Sequence, residues 1–187
     1  MGDGDGSVGD GEWIVRPRLI RLMTAAGGDA AATYLVRYVG RALESGPKLD
    51  TETSRAALAT LATLAGEDLT RVGPWEDNEA AYRDVPRMTA AVQRWLRWHR
   101  DASGLPREQR LALAQRHNAE ALRSSDAAER WGAIQRLMPT QRAAAVASLR
   151  ELMATEGASA EMRGYLARWA RRQRVGLTAP RPALAAN

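Results

Sequence analysis

The chain has 187 residues, 45% of them hydrophobic, and a net charge of +5, which is enough for one domain or for two small helical lobes. No apolar run approaches the roughly 18 residues of a membrane span, and with no cysteine there is no disulfide, thiolate metal site or cysteine nucleophile. The Gly/Asp-rich start lacks the basic-then-apolar pattern of a secretory signal, so a cytoplasmic location and no membrane partner are expected.

The opening MGDGDGSVGDGE holds five glycines and four acids and buries nothing, so residues 1–11 read as a disordered acidic leader. It is not a calcium loop, because counting from Asp3 the sixth and twelfth places hold Val8 and Ile14. It is not a myristoylation signal either, since Gly6 stands where Ser or Thr is wanted. Residues 1–12 carry −4, which leaves +9 on the remainder. Lys48 is the only lysine, so the other basic residues are all arginines. GC-rich coding accounts for that bias, yet its consequence is a chain rich in planar, bidentate phosphate-binding groups.

From Trp13 the pattern is helical. Helices are expected over 13–25, stopped by Gly27-Gly28; from an Asp29 cap to Gly46; and from Thr51 or Thr53 to Gly66. The stretch GEDLTRVGPWEDNEAAYRDVP is the least regular. Helices resume at 87–101 after Pro86, at 106–123, from Ser125 or Asp126 to Met138, from Pro139 to near Gly157, and from a Ser159 cap over 160–175, stopped by Gly176. Nothing alternates like a strand, so the fold class is all-α, a compact bundle of seven to nine helices. The expected organisation is an N-terminal helical half (12–72), an irregular linker (73–86), a C-terminal helical half (87–176) and a disordered tail (177–187).

Two arginine/aromatic clusters stand out. On a wheel of the last helix, Met162, Tyr165, Leu166 and Trp169 share a sector expected to be buried, while Arg163, Arg168, Arg171, Arg172 and Arg174 spread over the opposite half. In RWLRWHR, Met88, Val92, Trp95, Leu96 and His99 form one expected core face. Trp98 lies off it, on the side of Arg94, and together with Arg97 these residues form a second candidate surface. A boundary tryptophan beside arginines stacks on a nucleobase or plugs a protein pocket; a neighbouring helix can also cover it.

Enzyme signatures are missing. His99 and His117 lack a clustered carboxylate for zinc, and no phosphate-binding glycine loop or nucleophile elbow occurs. The acid pairs Glu67-Asp68 and Glu76-Asp77 read as solvent-facing turn residues rather than general acid/base pairs. The segment RSSDAAERWGAIQRLMPTQRAAAVASLR has helix-turn-helix proportions, but its turn holds proline instead of glycine. The expectation is a chain without catalytic activity, small-molecule cofactor or metal, whose partners are a nucleic-acid backbone, RNA or DNA, and the other subunits of a nucleoprotein assembly. The alternative is a helical adaptor that grips a protein partner through Trp98 and the nearby arginines.

MRGYLARWARRQRVG closes a basic all-α chain of this length. In length, class, charge and this last helix, the chain resembles the small subunits of CRISPR effector complexes, which are antiviral nucleoprotein assemblies. The resemblance implies a helical bundle lining a guide–target channel, with Arg163, Arg168, Arg171 and Arg172 contacting the nucleic-acid backbone.

Overall fold

Helix signals in the sequence become eight helices among the described residues, with no strand among them. A computed structural model describes residues 20, 22, 23, 25, 28–45 and 51–176. The helices are α1 (Asp29–Glu44), α2 (Glu52–Ala65), α3 (Asn78–Arg83), α4 (Val85–Ala102), α5 (Arg107–Ala121), α6 (Ala127–Leu137), α7 (Arg142–Ala154) and α8 (Ala160–Arg172). Of the helix expected over 13–25, only Ile20, Leu22, Met23 and Ala25 are described, and all four are helical. The expectations for residues 1–11 and 177–187 lie outside the described residues.

Local chemistry sets most boundaries. Thr51 caps α2 by accepting from the Ser54 N–H at 3.2 Å, and Gly66 ends it at φ 71°. Asp84 caps α4 through the Arg87 N–H, so that helix begins at Val85, earlier than expected. Asp126 accepts from both Ala128 and Glu129 to open α6, and Ser159 accepts from Met162 at 3.0 Å to open α8. Each cap satisfies an N–H that a helix start leaves without an intrahelical partner, worth about 1 kcal/mol. Asp29 is the exception. Gly28 stands at the N-cap of α1, and the Asp29 carboxylate instead accepts from the Gly104 N–H and pairs with Arg110.

The described residues form two compact units, one of those up to 71 with 78–117 and the other of 72–77 with 118–176. This division differs from the expected halves at 12–72 and 87–176, because α4 packs on α1 rather than with the C-terminal helices. In the first unit Leu35, Val36 and Val39 of α1, Leu58 and Leu61 of α2, and Met88, Val92 and Trp95 of α4 are buried. Trp95 donates its indole N–H to the Thr70 hydroxyl at 3.3 Å, which satisfies the polar edge of a buried ring.

The second unit is built on α6, α7 and α8, with Ile134, Leu137, Leu149, Leu152, Met162 and Leu166 at its centre. Without phenylalanine, tryptophans and a tyrosine supply the bulk. Trp131 meets Trp169 edge-to-face at 4.8 Å and Tyr165 at 5.6 Å. Trp75, from the short segment 72–77, adds edge contacts to Trp131 and Tyr165. Gly73 makes room for it, since a Cβ there would lie 2.5 Å from the Trp75 ring.

Candidate nucleic-acid interface

Helix α8 divides into two faces. Met162, Leu166, Trp169 and Ala170 are buried and Tyr165 is half-buried. Arg163, Arg168, Arg171, Arg172 and Arg174 are exposed, and none of them makes a side-chain hydrogen bond or ion pair among the described residues. The only acid on α8 is Glu161, in its first turn. The guanidinium charges are therefore offered outward, with planar donor forks free to take phosphate oxygens in pairs.

How α8 ends matters for this face. Glycine at 176 was the expected stop, but the chain turns two residues earlier. The Val175 N–H donates to the Ala170 carbonyl at 2.9 Å and the Arg174 N–H to the Arg171 carbonyl at 3.0 Å. This is the paired closure of a Schellman motif, whose left-handed position is usually glycine. Here Arg174 occupies it, at φ 53°. Val175, the residue after it, is buried, which anchors the turn.

Two further arginines that sequence reasoning missed meet this helix end. Arg142 of α7 donates to the Gln173 carbonyl at 2.9 Å, and Arg150 donates through Nε and Nη2 to the Gly176 carbonyl at 3.3 and 2.8 Å. Their acceptors, Gln173 and Gly176, lie on either side of Arg174 in sequence, so the two arginines hold the turn in place. Carbonyl acceptors do not neutralise charge, so both arginines add to the positive potential. The α8 dipole opposes it with only about half an elementary charge at a C-terminus. The arginines win that balance. The one signal for the pair was their spacing of eight residues, which leaves them about 80° apart around a helix.

The second candidate surface is taken apart by the structure. Trp98 is 7% exposed and meets Trp95 edge-to-face at 5.8 Å, so it is a core ring rather than a boundary one. It cannot stack on a base or plug a partner without unfolding α4, which removes the anchor of the adaptor reading. Leu96, expected in the core face, is 42% exposed instead. Arg94 is half-buried and donates through Nε to the Leu69 carbonyl at 2.8 Å and through Nη2 to the Thr70 carbonyl at 3.4 Å. Arg87 similarly takes the Arg71 carbonyl at 2.7 Å. Irregular backbone leaves carbonyls without ladder partners, and these arginines satisfy them. Of Arg94, Arg97 and Trp98, only Arg97 is exposed. His99 bonds the Thr33 hydroxyl at 3.1 Å at the core edge.

One acid of each pair serves the backbone. Asp68 accepts from the Thr70 N–H at 2.9 Å and Glu76 from the Gly73 N–H, both local turn bonds. Glu67 is buried and lies 3.2 Å from His117 Nδ1. Burial raises the Tyr82 phenol above its usual 10.0, with the Asp68 carboxylate adding to the effect and Arg55 and Arg87 opposing it.

No protein family, curated protein or solved structure matches this chain. The site therefore rests on its own geometry. Among the described residues no group of three or more acids and histidines comes together as a metal cage, and no helix is long and apolar enough to cross a membrane.

Proposed function

We propose that the protein binds nucleic acid, RNA or DNA, through its phosphate backbone and without sequence preference, as a non-catalytic accessory subunit of a larger nucleoprotein assembly. The observation that carries this reading is the outer face of α8. Five exposed arginines, with Glu161 two turns before Arg168 as the only acid on their helix, end in one held in a left-handed conformation that glycine would adopt more cheaply. Phosphate contacts position a nucleic acid but carry no base information, so sequence independence follows from this chemistry. Residues 1–12 carry −4 against +9 on the remainder, so removing them raises the net positive charge offered to a phosphate backbone at low salt.

The test is direct binding of a labelled random-sequence strand at about 50 mM salt, where phosphate contacts are strong. The variant Arg168→Ala/Arg171→Ala/Arg172→Ala should bind at least tenfold more weakly, and a chain lacking residues 1–12 should bind more tightly. If the triple variant and the full chain bind alike, the arginines face only water and the reading is wrong.

A further inference from the structure

The outer face of α1 carries a feature that the arginines of α8 leave unexplained. Tyr34, Arg37, Tyr38 and Arg41 recur at the i, i+3, i+4, i+7 spacing that puts them on one side of the helix. Tyr34 is 52% exposed, Tyr38 is half-buried, and both arginines are exposed. The two rings lie nearly parallel, with centroids 6.4 Å apart and planes 16° from each other. Among the described residues a groove of about 460 Å³ along this face is lined by Ala30, Thr33 and those four residues. That volume falls within the roughly 300–1,000 Å³ of small-ligand sites.

An exposed aromatic stack between two arginines is costly to leave in water. The opposite face of the same helix, with Leu35, Val36 and Val39, already supplies its packing. Neither Arg37 nor Arg41 makes a side-chain hydrogen bond or ion pair among the described residues. The α1 acids sit at the two ends of the helix, Asp29 engaged with Arg110 and Glu44 in the last turn. This face thus offers two π surfaces and two arginines, of which Arg41 shares the last turn with Glu44 but makes no ion pair with it.

We propose that this face is a base-stacking site for single-stranded nucleic acid, in which a base extends the tyrosine stack on the open side of Tyr34 while Arg37 and Arg41 hold the flanking phosphates. A duplex keeps its bases stacked on one another, so the site selects unpaired strands. Stacking on aromatic rings tolerates any base, which keeps the recognition sequence-independent. The inference rests on the nucleic-acid reading and adds the class of strand to it.

The experiment compares binding of a labelled oligothymidine with that of an abasic strand of equal length, by fluorescence anisotropy on the full chain. The abasic strand keeps the phosphates and lacks the bases. The wild-type chain should prefer oligothymidine by about 5- to 150-fold for one stacked base, the range that corresponds to base–aromatic stacking. Tyr34→Ala/Tyr38→Ala should abolish that preference, while Tyr34→Phe/Tyr38→Phe, which keeps the rings, should retain it. Equal binding of the two strands by the wild-type chain overturns the stacking site while leaving the backbone reading intact, as does a preference that survives in the alanine variant. Binding of neither strand overturns both.

Discussion

Arg174 puts stability and function in opposition at a single position. Its left-handed conformation costs a residue with a Cβ about 1–2 kcal/mol relative to glycine. Glycine gives back roughly 0.5–1 kcal/mol through the greater freedom of the unfolded chain. Arg174→Gly should therefore stabilise the protein by about 0.5–1 kcal/mol, a rise of a few degrees in Tm. Arg174→Ala keeps the Cβ at φ 53° and should not raise Tm. With Arg174 holding a phosphate as proposed, both variants should lose one contact and flatten the dependence of log affinity on log salt by about 0.7 for a single strand. Thermal unfolding followed by circular dichroism, alongside anisotropy titrations, reads the two effects separately. If Arg174→Gly melts at or below the wild-type temperature, or if glycine and alanine raise Tm equally, the left-handed strain is not what distinguishes this position.

Other consequences are more local. Gly73→Ala places a Cβ 2.5 Å from the Trp75 ring, and a shift of the ring away from Trp131 and Tyr165 should cost about 1–3 kcal/mol; denaturant unfolding measures it. Ser159→Ala removes the α8 cap and should cost about 1 kcal/mol in the same assay, with the arginine face still present once folded. Because the Tyr82 phenol is raised in the folded state, the unfolded chain releases that proton first. The stability tied to Tyr82 is fully present below pH 10.0 and falls as pH rises above it, and Tyr82→Phe should remove that part of the alkaline loss.

What was legible in the sequence depended on how far each residue's partner lay along the chain. Thr51, Asp126 and Ser159 bond donors two or three residues away, so capping chemistry named Ser159 outright and narrowed the other two to Thr51 or Thr53 and Ser125 or Asp126. Asp29 has the same chemistry but spends it on Gly104 and Arg110, partners that only the fold brings near. On a wheel of α4, Trp98 and Leu96 flank Met88 at about equal angles in opposite directions, so periodicity cannot choose between them. Packing chose Trp98, because its ring meets Trp95. The same limit applies to arginines. Those of α8 were readable because the helix's own apolar stripe defines the other side. Arg94 and Arg87 look alike in sequence yet serve loop carbonyls at 69–71. Tyr34 and Tyr38 sit among alanine, leucine and valine, where aromatic residues also suit a core, and only their exposure separates them from it.

The salt dependence of binding tests the central claim most directly. Affinity for a random-sequence single strand should fall linearly on a log–log plot between about 50 and 200 mM salt, as released counterions oppose each contact. Replacing Arg168, Arg171 and Arg172 with alanine should flatten that slope by about 2, three contacts at roughly 0.7 each. An unchanged slope in the triple variant, or binding by the wild-type chain that ignores salt, would contradict the assignment of α8 as a phosphate-binding face.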